Sequence, residues 1–83
     1  MTHALKVWPE FFNDLKDGKK TFELRKHDRP FKEGDKLLLQ EFDNESQSYT
    51  GDELHFYISY LLKDCPKFGL KPGFVILGLK EIE

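Results

Sequence analysis

Gly18-Lys19-Lys20-Thr21-Phe22-Glu23-Leu24-Arg25 is the stretch in which a helix stops and a sheet begins. The glycine supplies the left-handed residue that commonly follows a last helical turn. The residues after it alternate, so 20–25 reads as a strand. Phe22 and Leu24 are expected on its inner face, with Thr21, Glu23 and Arg25 together on the other. A strand that only fills a core has no use for a Glu and an Arg two positions apart, whereas a strand that floors a cleft does.

Upstream, Pro9 opens a helix, because a missing N–H costs nothing at the first helical position. Glu10 complements the dipole in the first turn. Trp8, Phe11, Phe12 and Leu15 recur at helical spacing and predict one apolar face, with Trp8 packed in the core or at its rim. His3 to Val7 alternates weakly and predicts a first strand. Downstream, a charged loop at 26–34 carries Pro30 and the turn pair Glu33-Gly34, and a strand follows at about 35–42. Asn44 to Gly51 is polar and reads as a long hairpin loop. Leu54, Phe56, Ile58, Tyr60 and Leu62 alternate with His55, Tyr57, Ser59 and Leu61, which predicts a strand with the first set inward. Residues 64–72 form a loop with Pro66, Gly69 and Pro72. Phe74 to Ile82 is a last apolar strand in which Gly78 marks a bulge or bend.

The later strands are joined by connections short enough for antiparallel pairing. One helix cannot cover both faces of a five-stranded sheet. The solution is a mainly-β α+β fold, a small barrel of five to six strands with one packed N-terminal helix. Eighty-three residues allow a single domain, 1–83.

Composition narrows the function classes. Cys65 is alone, so no disulfide framework exists, and it reads as a partly buried loop thiol. No apolar run is long enough to span a bilayer, and the first residues lack a charged-then-apolar leader. These features predict a cytoplasmic protein with no membrane partner. His3, His27, His55 and Cys65 lack metal-ligand spacing, and no glycine-rich nucleotide fingerprint occurs, so no metal and no cofactor is expected. The net charge of −2 hides an asymmetry. Residues 16–32 hold seven basic side chains against three acidic ones, a local +4 on a mildly acidic chain. A protein that coats nucleic acid nonspecifically is more basic overall. A local patch fits a small anion or a short stretch of nucleic acid.

Lys20 has the wrong parity to join Glu23 and Arg25 in a regular strand. It reaches them only if the chain turns immediately after Gly18. Lysine there is a point donor for phosphate or carbonyl oxygen and, if desolvated, a base or nucleophile. The plainer alternative for Glu23 and Arg25 is a cross-strand ion pair at a barrel rim, of little energetic weight. Asp28 and Arg29 read first as an ion pair or turn hydrogen bonds that hold the 26–34 loop, and Asp35 as a turn-exit residue.

Five motifs in order resemble the ASCH domain (activating signal cointegrator homology) of the PUA-like superfamily, in particular its small single-domain bacterial and phage-type members. They are His3-x-Leu5-Lys6 with Pro9 and Phe12, Gly18-x-Lys20-x-x-Glu23-x-Arg25, Asp28-Arg29-x-Phe31, Gly34-Asp35-x-Leu37-x-Leu39-x-Glu41, and Tyr49-Thr50-Gly51. The resemblance implies a PUA-like barrel and a cleft between helix and barrel that binds RNA or a nucleotide-like ligand. Lys6, Lys19, Lys20, Arg25 and Arg29 are then candidates for phosphate or base-edge contacts. Glu23 is a candidate acceptor for an exocyclic amine, and Trp8, Tyr49 or His27 are candidates to stack on an unpaired base. Some ASCH-like proteins resemble amidohydrolases that deacylate a modified cytidine with a Lys, a Thr and a distant Glu. Lys20 matches that lysine, but Glu23 stands where that branch has its threonine, which ranks binding above catalysis. If the chain is an enzyme, Lys20 and Glu23 are the acid–base pair, and their separation tests the idea. A protein-interaction domain is a third class, and an exposed apolar patch is its sign.

Overall fold

The computed structural model describes residues 1–82. The chain runs β1 (Thr2–Val7), α1 (Pro9–Lys16), β2 (Phe22–Lys26), β3 (Lys36–Asp43), β4 (Ser48–Leu62), a short 3₁₀ turn at Pro66–Phe68, and β5 (Phe74–Glu81). The five strands form one sheet in the order β1-β3-β4-β5-β2, curled into a half-barrel with the helix packed against it. The neighbours β3–β4, β4–β5 and β5–β2 are antiparallel, the first two pairs consecutive in the chain and the third distant in it, whereas β1 pairs with β3 in parallel. No helix among the described residues is long and apolar enough to cross a membrane.

The core is built from alternate positions. Leu5 and Val7 of β1, Leu37 and Leu39 of β3, Ile58 of β4, and Val75 and Leu77 of β5 all point inward and are buried. Burial of each such side chain contributes roughly 1.5–3 kcal/mol. The helix adds Phe12 and Leu15, and the 26–34 loop adds Phe31. At the lower end of the β1–β3 pair, His3 and Asp35 are also buried. His3 Nε2 lies 2.9 Å from Asp35 Oδ2, which also accepts from the Lys32 amide, while Asp35 Oδ1 faces the terminal ammonium at 3.2 Å. Asp35 is therefore more than a turn exit; it ties the 26–34 loop to β1. The His3 hydrogen bond above all, with help from the ammonium and the Lys32 amide, holds its carboxyl below the ordinary carboxylate range against the opposing effect of burial.

Four expectations need correction. The 44–51 loop is a four-residue turn at 44–47, and the ladder resumes at Asp43↔Ser48 and Phe42↔Tyr49. Asp43 Oδ1 accepts from the amides of Glu45 and Ser46 and closes the turn, so the polar residues after it form an exposed ribbon that needs no alternating hydrophobes. On α1, only Phe12 and Leu15 are buried; Trp8 and Phe11 are half exposed, because the stripe is wider than the surface it covers. On β2 the parity is inverted. Glu23 is buried at 4% exposure, while Phe22 and Leu24 are exposed at 45% and 53%. On β4 the register shifts between Ile58 and Tyr60, which sends Tyr60 and Leu62 outward and turns Leu61 toward the core. The extra residue is Ser59, opposite Gly78, so the glycine faces the bulge that its position foretold.

Candidate functional site

The helix ends at Lys16, and Gly18 takes φ +79°, a region open to glycine at little cost. The amides of Lys19 and Lys20 then both donate to the Asp14 carbonyl at 3.0 Å. This wrap delays β2 until Phe22 and aims Lys20 back along the strand. The sharp turn needed to overcome its parity is thus present.

Glu23 projects from β2 into the half-barrel. Its Oε1 accepts from Lys20 Nζ at 2.6 Å and its Oε2 from Arg25 Nη1 at 3.3 Å. Arg25 Nη1 also donates to the Lys6 carbonyl of β1 at 3.0 Å, and Arg29 Nη1 donates to the Ala4 carbonyl at 2.8 Å. β1 and β2 are the two ends of the sheet order. The two guanidinium groups therefore bridge a seam that backbone ladder bonds leave open.

Above Glu23 the seam widens into a cavity of about 500 Å³, within the range of small-ligand sites. Lys6, Val7, Trp8 and Phe11 line one wall, and Lys20, Phe22, Leu24 and Arg25 the other. Lys20 Nζ stands 5.0 Å from the Phe11 ring centre and 5.5 Å from that of Phe22. One carboxylate between two cations leaves the floor with a formal charge of +1. Its walls are aromatic and open to solvent.

The structure thus brings Lys6, Trp8, Lys20, Glu23 and Arg25 together. Lys19 lines a shallower hollow beside the cavity, with Phe11, Asp14 and Lys20. Arg29 lines a second hollow, of about 310 Å³, on the other side of Arg25. His27 is apart from both; it stacks on Phe31 at 6.0 Å and its amide donates to the Gly73 carbonyl. Tyr49 packs edge-on against Phe42 at 5.2 Å, with Lys6 Nζ above both rings. Arg29 binds β1, and no ion pair joins it to Asp28 among the described residues. Phe11, Phe22 and Leu24 are cavity residues that sequence reasoning assigned to the core. For the two on β2 the signal was Glu23: a strand cannot turn that side chain inward without turning its neighbours out.

A family model described as a domain of unknown function, DUF3850, matches residues 2–79. The chain belongs to the DUF3850 family. The match spans every element of the half-barrel, from β1 into β5. No curated protein matches the chain. The DUF3850 cleft is accordingly read from its own geometry.

Proposed function

We propose that this DUF3850 domain is a PUA-like, ASCH-type module that binds RNA or a nucleotide-like ligand in the cleft between α1 and β2. The observation that carries the reading is Glu23, buried and holding Lys20 and Arg25 beneath an aromatic-walled cavity. In this reading Lys20 and Arg25 meet a phosphate or a base edge, and charge-assisted contacts there are the strong ones. Glu23 spends both oxygens on the two cations, so its role is to position them. Trp8 and Phe11 offer faces for an unpaired base, for which stacking is worth about 1–3 kcal/mol. Lys6 adds charge at the rim.

The test is titration with short single-stranded and hairpin RNAs and with mononucleotides, at low and physiological salt, with Lys20→Ala and Arg25→Ala alongside. Binding that weakens with salt and is lost in both variants supports the reading. Unchanged binding to every RNA and nucleotide in a Lys20/Arg25 double charge reversal overturns it.

The Lys20–Glu23 distance favours a second reading. At 2.6 Å the pair meets the geometric condition for acid–base work, and amide hydrolysis on an acylated cytidine-type nucleoside follows as the enzymatic alternative. Release of free acid from such a nucleoside, abolished by Lys20→Ala and by Glu23→Gln, is the expected result. No release by the wild-type domain ends this reading.

A further inference from the structure

The side chains that leave the core on β2 and β4 meet on the outer face of the sheet. The register sets them in four rows across β3, β4, β5 and β2. The first row is Lys36–Tyr57–Lys80. The second is Tyr60–Gly78–Phe22, and the third Leu62–Ile76–Leu24. The fourth is Phe74 opposite Lys26. Phe22, Leu24, Tyr60 and Leu62 are all exposed, and Gly78 stands between the two rings of the second row. Soluble domains seldom leave so continuous an apolar surface without a use for it.

The charge within these four rows has one sign. Lys36 Nζ stands 5.8 Å from the Tyr57 ring and Lys71 Nζ 5.7 Å from the Phe74 ring, at opposite ends. Lys20 borders Phe22 from the cleft side. No Asp or Glu occupies any of the four rows. Among the described residues Lys26, Lys36, Lys71 and Lys80 make no ion pair. An apolar centre with a charged rim is the anatomy of a protein interface.

We propose that the outer face of β2–β5–β4 docks a protein segment with an apolar centre and acidic flanks. Two other occupants fit less well. A second copy related by a two-fold axis in the interface plane places a lysine row on a lysine row whichever way the axis runs, and like charges across an interface oppose association. A nucleic-acid strand carries charge along its whole length, whereas the third row is wholly aliphatic, with no ring to stack on and no cation to meet a phosphate. The span from Lys80 to Phe74 is about 20 Å, so roughly six or seven extended residues cover it. The proposal is independent of the cleft reading, although Phe22 and Leu24 border both surfaces.

The test is selection of a displayed library of random peptides, about twelve residues long to exceed that span, on the wild-type domain. The selected peptides are then titrated into ¹⁵N-labelled protein. The expected winners have an apolar core flanked by Asp or Glu and shift amides within 22–26, 60–62 and 74–80. Their affinity falls about tenfold in the surface double variant Lys26→Glu/Lys80→Glu, which keeps the wild-type melting temperature. Leu62→Asp abolishes binding, and the lysine variant carries the test if Leu62→Asp fails to fold. Enrichment without acidic flanks, no enrichment, shifts confined to the cleft, concentration-dependent self-association through this face, or tighter binding of an oligouridylate to the same amides would each overturn the proposal.

Discussion

Glu23 shows how one side chain sets the character of a cleft. It is buried because two cations take its charge. Glu23→Ala leaves Lys20 and Arg25 facing each other across a void, and unfolding is expected to require about 1–3 kcal/mol less, read by urea denaturation. Lys20→Met is milder in stability, since Arg25 still pairs the carboxylate, yet it removes the ammonium from the cavity. If Lys20→Met proves more destabilising than Glu23→Ala, the hierarchy drawn here is wrong. Asp35 makes a separate prediction. Its carboxyl is held low in the folded protein, so its contribution is complete above about pH 4, the ordinary unfolded value, and is lost as pH falls through the lower folded value. Thermal melts from pH 7 to pH 2 are expected to show a steep acid limb in the wild type and a flatter one in Asp35→Asn, whose melting temperature is already reduced at pH 7.

Among the elements, the Ser59 bulge does the most to set surface chemistry. A Cβ on Gly78 would lie 2.9 Å from Ser59 Oγ and 3.4 Å from Tyr60 Cβ. Gly78→Ala is therefore expected to cost about 1 kcal/mol, and Ser59→Ala, which removes the nearest atom, is expected to recover part of it. A double-mutant cycle by chemical denaturation that shows simple additivity rejects this contact as the cause. The same bulge explains part of what the sequence hid, the outward turn of Tyr60 and Leu62. The helix start at Pro9, its end at Gly18, the strands at 36–43 and 74–81 and the antiparallel order after β2 were legible from periodicity and turn residues. Glu23 and Arg25 were legible because charge stands out on a strand, Lys20 through the turn after Gly18, and Lys6 and Trp8 through the family resemblance. Strand faces were not legible. A period-2 pattern says which residues share a face but not which face is inside, and one inserted residue reverses the answer beyond it. Phe22, Leu24, Tyr60 and Leu62 were all assigned inward on hydrophobicity, and all four face out. The 48–53 ribbon was missed because a strand exposed on both faces carries no hydrophobic alternation.

The molecule as a whole is an open sheet whose ends meet through side chains. Arg25 and Arg29 reach carbonyls of β1 where a closed barrel has ladder bonds. Each such bond contributes about 0.5–1.5 kcal/mol net. The Arg25→Ala/Arg29→Ala double variant is expected to keep its sheet signature in circular dichroism while amide exchange along β1 accelerates relative to β4. Equal protection in both proteins refutes a role for the guanidinium groups in holding the seam. The strand order also bears on when this protein becomes able to act. β2 carries Glu23 and Arg25, yet among the described residues its one ladder partner is β5, and Phe22 pairs with Gly78, 56 positions later. On the ribosome the chain emerges from the N-terminus, so the cleft residues leave the exit tunnel long before the strand that orders them. Contacts this distant in sequence close late and slowly. A nascent chain therefore displays the basic 16–32 segment without its cleft until β5 has emerged and paired with β2.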